Sequence, residues 1–360
     1  LVRSVFPHKP YVLLEDPDTR AFAEEDPRSF LAQFEVTGAV IDEVQRVPAL
    51  FSYLQGILDR FDRPGHFILT GSQNFLLMES ISQSLAGRVG IIRLLPLSMR
   101  ELVREGFAIR PYEDYLYRGF FPRLYSSTLE PADFYSSYIQ TYLERDLSQL
   151  KQVQSLSTFQ TFMKMCAFRN GQIINYSSLA QDCGITHNTA KEWLSLLETS
   201  CIIVLVRPHQ KNFNKRLVKM PKLCFTDPGL AAHLAGIPDP DNLCYHSLKG
   251  GLFESLIFAE FLKYRFNKGR ESNLYFWRDQ HGHEIDCIIE YQGRDLIPVE
   301  MKAGRTANKD YFKDITYWNT LSGNTADRSF VVYGGDQSQQ RPAGRLVGYE
   351  NLDPVLEYLV

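Results

Sequence analysis

Residues 38–50 read GAVIDEVQRVPAL, and this stretch decides the fold of the first part of the chain. Its apolar beginning predicts a buried strand, and two carboxylates, Asp42 and Glu43, come directly after that strand. Pro48 then opens an amphipathic pattern that predicts a helix to about Arg60. A strand that ends in acids and returns through a helix is typical of α/β sheets, which bind ligands at the carboxyl ends of their strands.

The neighbouring stretches repeat this pattern. Residues 66–70 form a second apolar run, and a polar cluster that includes Ser72 and Asn74 follows it. Gly87 and Arg88 come about one helix later. Because alternating buried strands and helices predict a parallel sheet, the acids and the polar cluster should meet at one edge of it.

Asp42 and Glu43 fit the Walker B pattern of nucleotide-hydrolysing proteins. In that pattern an Asp at the end of a strand serves a Mg²⁺ ion, and the Glu that follows acts on the water that attacks a nucleoside triphosphate. The alternative is a solvated turn, because an acidic pair after a strand is common. The residues alone leave both interpretations open.

The composition limits the classes of function. With 360 residues, 44% hydrophobic and 22% charged, the chain is globular and long enough for roughly two or three domains. We divide it into the regions 1–125, 126–245 and 246–360. A net charge of −3 excludes a chain-wide basic coat for nucleic acid. The apolar runs are too short to span a bilayer, and six cysteines without a CxxC pair predict a reduced, cytoplasmic protein.

The middle region carries a helix-turn-helix pattern. Residues 178–183 predict a short helix, and Thr186 is the predicted N-cap of a second helix after a glycine turn. Strand-like runs follow, as in a winged-helix domain. Residues 207–222 include six basic and no acidic residues, and such a segment supplies phosphate contacts. The candidate nucleic-acid contacts are Lys191, Arg207, Lys211, Lys215, Arg216 and Lys219. The alternative is a winged helix that packs against protein and carries a solvated basic loop.

The third region places acids at strand spacing. Its predicted order is a helix, three strands near residues 274–278, 284–291 and 296–302, a helix and a strand. Asp286 lies on the second of these strands, and Glu300 and Lys302 share one face of the third. Glu254 lies on an otherwise apolar helix, where an unpaired carboxylate is costly and needs a partner or a metal. Carboxylates that converge in this way are ligands of the kind that Mg²⁺ prefers. The alternative is an ordinary ion pair between Glu300 and Lys302.

Three segments of the first region together resemble the AAA+ ATPase domain of a widespread prokaryotic family of uncharacterised ATPases. They are IDEVQRVPAL (41–50), ILTGSQNFLL (68–77) and SLAGRVGIIRLLPLS (84–98). The resemblance implies that Asp42 serves Mg²⁺, that Glu43 is the catalytic base, and that Ser72 and Asn74 contact the nucleotide. It also implies that Arg88 stabilises the developing phosphate charge, for which the alternative is an arginine at a helix C terminus.

Two further segments resemble the C-terminal domain of unknown function that follows this ATPase domain in the same family. They are LCFTDPGLAAHL (223–234) and GGLFESLIFAEFL (250–262). With Glu254 upstream, the Asp-x13-Glu-x-Lys spacing of residues 286–302 resembles the PD-(D/E)XK nuclease core. This implies Mg²⁺ at Glu254, Asp286 and Glu300 and a catalytic role for Lys302, and a degenerate, inert core is the alternative.

One element of the resembling family is missing from the sequence. The chain has no GxxxxGK[ST] P-loop and no Gly-Lys pair, although the P-loop amides and lysine supply most of the grip on a triphosphate. Because the chain begins at Leu1 rather than Met, we expect the first strand and the P-loop to precede it. We therefore expect this chain to bind ATP weakly and the intact protein to bind it.

The sequence thus predicts a multidomain α/β protein. It comprises a truncated AAA+ P-loop NTPase-type parallel sheet, a winged-helix-like helical middle and a C-terminal restriction-endonuclease-like α/β domain. The preferred function is an ATPase that uses ATP and Mg²⁺ and acts on nucleic acid, with double-stranded DNA and other proteins as partner classes. The alternatives are a nucleic-acid-binding or protein-interaction regulator with an inert nuclease-like domain, and an ATP-gated, Mg²⁺-dependent DNase. We expect no membrane association, and the AAA+ resemblance implies a homo-oligomer.

Overall fold

A computed structural model describes residues 1–60, 63–71, 85–142, 155–210 and 218–360. The chain divides into two compact units, Leu1–Ile91 and Ile92–Val360, and each has its own hydrophobic core. The region boundaries predicted at 125 and 245 both fall within the second unit and stay predictions. Within the described ranges, no helix has both the length and the apolar character needed to cross a membrane.

The first unit is built on a parallel sheet. Its strands are β1 (Tyr11–Leu13), β2 (Ala39–Asp42) and β3 (Phe67–Leu69), in the spatial order β1-β2-β3. Its helices are α1 (Val2–Val5), α2 (Pro17–Glu25), α3 (Pro27–Ala32) and α4 (Ala49–Leu58). Tyr11 lies opposite Val40, and Ala39 lies opposite Phe67. The carboxyl ends of these strands therefore share one edge, as the sequence predicts.

Helix α4 packs on this sheet through one apolar face. Leu50, Leu54 and Ile57 are buried, at the spacing of a single helix face, and full burial of such a side chain contributes about 1.5–3 kcal/mol. Because β2 and β3 are parallel, the helix that connects them runs back towards the amino ends of the strands. Its 10 residues rise about 15 Å. The two ends of α4 therefore lie at opposite edges of the sheet.

The second unit contains a small and a large sheet. Its strands are β4 (Gln172–Ile173), β5 (Ile203–Val206), β6 (Lys222–Phe225), β7 (Leu274–Arg278), β8 (Glu284–Tyr291), β9 (Asp295–Lys302), β10 (Phe330–Tyr333), β11 (Gln339–Arg341) and β12 (Gly344–Gly348). Its helices are α5 (Met99–Arg104), α6 (Tyr112–Arg118), α7 (Arg123–Ser126), α8 (Pro131–Tyr142), α9 (Leu156–Phe168), α10 (Tyr176–Cys183), α11 (His187–Thr199), α12 (Pro228–Leu234), α13 (Pro240–Leu243), α14 (Lys249–Phe266), α15 (Lys313–Ser322) and α16 (Asp353–Leu356).

The large sheet has the order β11-β12-β10-β9-β8-β7 and carries a helix on each face. β7, β8 and β9 are antiparallel neighbours, whereas β10 runs parallel to both β9 and β12. Ile289 and Val299 belong to the core shared with α14, while Ile288 and Val331 pack with Trp318 of α15. The predicted order of helix, three strands, helix, strand is present, and two strands that were not predicted, β11 and β12, follow it. Element order alone does not establish a nuclease.

The predicted pair of helices joined by a turn is present in the second unit. Gly184 ends α10 in the left-handed region with φ 65°, which glycine adopts without strain. Thr186 caps α11, because its side chain accepts a hydrogen bond from the Thr189 backbone N–H at 3.1 Å. Strands β5 and β6 follow and pair antiparallel, with β6 between β4 and β5. The helices and the turn are confirmed, and the assignment as a winged-helix domain stays a prediction.

A close backbone contact joins the small sheet to α14. The Asn170 side chain accepts hydrogen bonds from the Phe225 N–H and the Ser255 hydroxyl, and donates one to the Gly251 carbonyl, at 2.8–2.9 Å. A Cβ on Gly251 would lie 2.4 Å from the Asn170 carbonyl oxygen. Only glycine allows this approach, and the contact sets the position of β6 against α14.

Candidate functional site

The carboxyl edge of the first sheet holds Asp42 in one orientation. The hydroxyls of Tyr11 and Thr70 donate hydrogen bonds to its two carboxylate oxygens, one to each. The Glu43 backbone N–H also donates to Asp42 Oδ1, at 3.2 Å. The hydrogen bond to Asp42 raises the pKa of Tyr11 above its usual value. Side chains from β1, from β2 and from the residue after β3 thus meet, as the parallel arrangement predicts.

Glu43 lies at the turn directly after β2. Its φ of 57° is in the left-handed region, which residues other than glycine rarely adopt. Gln45 Nε2 donates to Glu43 Oε2 at 2.8 Å. Gln45 is itself buried, and within the described part of the chain its Oε1 has no hydrogen-bond partner. The turn and the Gln45 contact fix the Glu43 carboxylate beside Asp42.

The donor set at this edge fits a hard divalent cation. Mg²⁺ is usually held by one or two carboxylates together with water and substrate phosphates. Asp42 Oδ1 accepts two hydrogen bonds, from the Thr70 hydroxyl and the Glu43 backbone N–H, whereas Oδ2 accepts one, from Tyr11, and keeps a lone pair. Asp42 would therefore hold the ion through Oδ2, and Glu43 would act on water. Ser72 and Asn74, the predicted nucleotide contacts, lie outside the described residues.

Arg88 lies elsewhere in the first unit. Its Nε is 2.5 Å from Asp59 Oδ1 and its Nη2 is 3.3 Å from Asp59 Oδ2. Asp59 is the residue at the C terminus of α4, which points to the amino edge of the sheet. Arg88 therefore pairs with an acid at that end of the helix, and its predicted catalytic role stays a prediction.

The second unit brings together the acids predicted in the third region and adds Glu284. We define the acid cluster as Glu254 of α14, Glu284 and Asp286 of β8, and Glu300 of β9. Lys222, the first residue of β6, extends its ammonium group into this cluster. Lys222 Nζ lies 3.1 Å from Glu254 Oε2, 2.5 Å from Glu284 Oε1 and 3.3 Å from Asp286 Oδ1. Only 4% of the Lys222 side chain is exposed.

Lys302 covers the other side of the acid cluster. Its Nζ lies 2.5 Å from Glu300 Oε2 and 3.5 Å from Asp286 Oδ2. Asp286 also accepts a hydrogen bond from the Met301 backbone N–H at 2.9 Å. Each Asp286 oxygen therefore faces a different lysine, and the ion pair between Glu300 and Lys302 is the one that the sequence offers as an alternative.

The buried charges shift the titration of these groups. Burial and the neighbouring Asp286 raise the pKa of Glu254 to about 7, and the same two causes raise the pKa of Glu300 well above its usual value. Burial also disfavours the ionised form of Asp286, but Lys302 and Lys222 outweigh it and hold the pKa of this carboxyl well below its usual range. The two lysines therefore favour the ionised form of Asp286.

The expectation that Glu254, Asp286 and Glu300 form a Mg²⁺ site stays a prediction. The acids do converge, but an ammonium group lies between those of α14 and β8, and a second one bridges Asp286 and Glu300. Across the described ranges, no group of three or more His, Cys, Asp and Glu side chains is arranged to hold a metal ion. Lys302 pairs with Asp286 and Glu300 and does not face an open metal position.

The predicted nucleic-acid contacts are only partly described. Lys191 and Lys219 are exposed, whereas Arg207 pairs with Glu198 of α11 at 3.1 Å. Glu198 also accepts a hydrogen bond from the Leu205 backbone N–H at 3.0 Å, so this acid braces β5. The remaining three candidates lie outside the described residues; they are Lys211, Lys215 and Arg216.

Sequence reasoning missed Gln45, Glu284 and Lys222. Lys222 is one of the basic residues between 207 and 222, but it also opens a strand whose residues are all buried. A lysine in a buried strand requires a charged partner, and that signal was present in the sequence. Glu284 lies two residues before Asp286 on the same predicted strand, which places both on one face.

Comparison with known proteins matches three parts of the chain to protein families. Residues 2–103 match the family described as AAA domain. Residues 109–241 and 249–352 match two families described as domains of unknown function (DUF8612 and DUF4143).

Two curated relatives, each described as an uncharacterized protein, come from Mycobacterium bovis and Mycobacterium tuberculosis. Each is 31% identical to the chain over 298 residues, which is 82% of this chain and 64% of the relative. The chain thus spans less than two thirds of the length of these relatives. No solved structure matches the chain. Together the comparisons support a fusion of an AAA-type ATPase domain with two domains of unknown function.

Proposed function

We propose that the protein hydrolyses ATP at the carboxyl edge of the first sheet. Asp42 binds the Mg²⁺ ion that accompanies the nucleotide, and Glu43 takes the proton from the attacking water. The observation that carries this proposal is the geometry of Asp42, which two hydroxyls and a backbone N–H orient at the end of β2. The match of residues 2–103 to an AAA domain supports it. Since the sequence has no P-loop, the proposal rests on the expectation that a P-loop completes this site.

The two acids at this edge have different roles, cation binding for Asp42 and proton transfer for Glu43. A preoriented carboxylate binds a cation without first losing side-chain freedom. The Glu43 carboxylate is fixed by Gln45, so it meets a water in one geometry, which is the condition for general-base catalysis. The resident Mg²⁺ would neutralise charge that develops on the phosphate oxygens.

The test compares ATP turnover of the P-loop-containing protein with that of Glu43→Gln. Removal of a general base costs about 10²–10⁴-fold in turnover, while nucleotide binding should remain, because Gln preserves the shape. Glu25→Gln, an exposed residue of the same unit, is the matched control and should leave turnover unchanged. Equal turnover in both variants would contradict the proposal.

We propose double-stranded DNA as the partner of the middle region. The helix-turn-helix of α10 and α11 presents Lys191, and the segment that leads into β6 presents Lys219. The pairing of Arg207 with Glu198 argues for a smaller phosphate footprint than the sequence suggests. Duplex affinity of Lys191→Ala and Lys219→Ala, measured at several salt concentrations, should give a salt slope lower by about one for each lost contact. Lys268→Ala, an exposed lysine at the end of α14, is the control; slopes equal to the wild type in all variants would exclude this interface.

Of the two other candidates, the acid cluster favours the regulator over the ATP-gated DNase. A phosphodiesterase of the predicted kind needs carboxylates open to a metal and a lysine beside the phosphate. Here Lys222 and Lys302 engage those carboxylates.

A further inference from the structure

The central question about the acid cluster is what neutralises it. We propose that Lys222 is its resident counter-ion and takes the position that a divalent cation would hold, so the second unit keeps these acids together without a metal. The lysine comes from the small sheet and the acids from α14 and the large sheet. The ion pairs therefore also fasten β6 to both.

The Lys222 ammonium group has as many N–H donors as it has carboxylate partners. It has three N–H donors, and it contacts one oxygen from each of three carboxylates, those of Glu254, Glu284 and Asp286. The separations of 2.5–3.3 Å are hydrogen-bond lengths. Mg²⁺ would require oxygens at about 2.0–2.1 Å in octahedral arrangement. The donors of Lys222 are therefore saturated by the acids that a metal would need.

The backbone leaves Lys222 little freedom to move aside. It lies opposite Val206 of β5 on one side and Ile173 of β4 on the other. A shift of the strand would break both ladders, and the Asn170 contact anchors the other end of β6 to α14. The side chain is almost fully buried along its length. The counter-ion is thus built into the sheet rather than delivered by a mobile loop.

The charge balance agrees with this role. The four carboxylates of the acid cluster face Lys222, Lys302 and Arg278, whose Nη1 lies 3.0 Å from Glu284 Oε2. These three cations leave one negative charge on the four carboxylates. Glu300 Oε1 is buried and, among described atoms, lacks a hydrogen-bond partner. A divalent cation added to this set would leave it with excess positive charge.

The experiment measures Mn²⁺ binding by the loss of the free-ion electron paramagnetic resonance signal. All proteins carry Asp42→Asn, so that the first unit does not contribute. With Lys222 present, we expect no Mn²⁺ bound to the acid cluster and an unfolding temperature that neither EDTA nor Mn²⁺ changes. Lys222→Met should gain about one equivalent of Mn²⁺, and adding Glu254→Gln should abolish that gain. Lys219→Met is the matched control, and its Mn²⁺ binding and unfolding temperature should equal those of the parent.

Two results would overturn the proposal. The first is Mn²⁺ binding by the parent that Glu254→Gln removes, because Lys222 would then not exclude the ion. The second is a folded Lys222→Met that binds no Mn²⁺, because the ammonium would then not occupy a cation position. If Lys222→Met does not fold, Lys222→Gln keeps a hydrogen-bond donor of similar length in its place. The first result is measured with Lys222 present, so it does not depend on whether any variant of Lys222 folds.

Discussion

Replacing Lys222 by Met should destabilise the second unit strongly. The substitution keeps the length and apolar stem of the side chain but removes the ammonium that contacts Glu254, Glu284 and Asp286. Removing one partner of a buried ion pair costs about 3–5 kcal/mol, because the other charge stays buried and uncompensated. In a domain of this size each kcal/mol lowers the unfolding temperature by about 2–4 °C. We therefore expect a decrease of roughly 10 °C at neutral pH.

Thermal unfolding followed by circular dichroism measures this effect. Lys219→Met, three residues earlier and exposed, removes the same charge and should change the free energy of unfolding by less than about 0.5 kcal/mol. Adding Glu254→Gln to Lys222→Met should recover part of the loss, since it removes one of the uncompensated charges. A coupling of about 1–3 kcal/mol between the two sites is expected.

The loss of stability caused by Lys222→Met should depend on pH. Acid protonates the carboxylates that the variant leaves unpaired, so the loss of stability should be smaller at low pH than at neutral pH. If Lys222→Met and Lys219→Met unfolded within about 1 kcal/mol of each other, the ammonium would not be the charge that stabilises the acid cluster.

Two further predictions follow from the same unit. Gly251→Ala should destabilise the protein by about 1–3 kcal/mol, because its Cβ would lie 2.4 Å from the Asn170 carbonyl oxygen. Gly250→Ala, with no atom within 4 Å of its Cβ, is the control and should be neutral or stabilising. Equal unfolding temperatures of the two variants would contradict the close contact. The raised pKa of Glu254, about 7 against 4.5 when unfolded, means that the native state binds more protons between these values. Its contribution to stability should therefore fall as pH rises through this window, by up to about 3 kcal/mol. Glu254→Gln should flatten that slope, while the exposed Glu271→Gln should leave it, and an unchanged slope in Glu254→Gln would refute the shift.

Much of the local structure could be predicted from the sequence. The strand of residues 284–291 was predicted with the bounds that the structure shows, and the one around 296–302 differs by a single residue at its start. The N-cap role of Thr186 was also correct. These elements are determined by apolar periodicity and by side chain to backbone hydrogen bonds over a few residues.

The carboxyl-edge position of Asp42 and Glu43 was predictable for a related reason. Parallel strands bring the residues that follow them to one edge, whatever the details of packing. The sequence did not show that Gln45 holds Glu43, or that Arg88 pairs with Asp59 at the far end of α4. Both depend on the direction in which a turn and a helix leave the sheet.

The acid cluster shows the limit most clearly. The sequence by itself determined which acids lie on the strands and helix of the third region, since the period of a strand and the cost of a buried carboxylate are local arguments. It could not determine that Lys222 completes them, because this lysine precedes Glu254 by 32 residues and Asp286 by 64. Only the packing of β6 against α14 and β8 brings the ammonium to the acids. That contact decides whether the converging carboxylates hold a metal ion or a lysine.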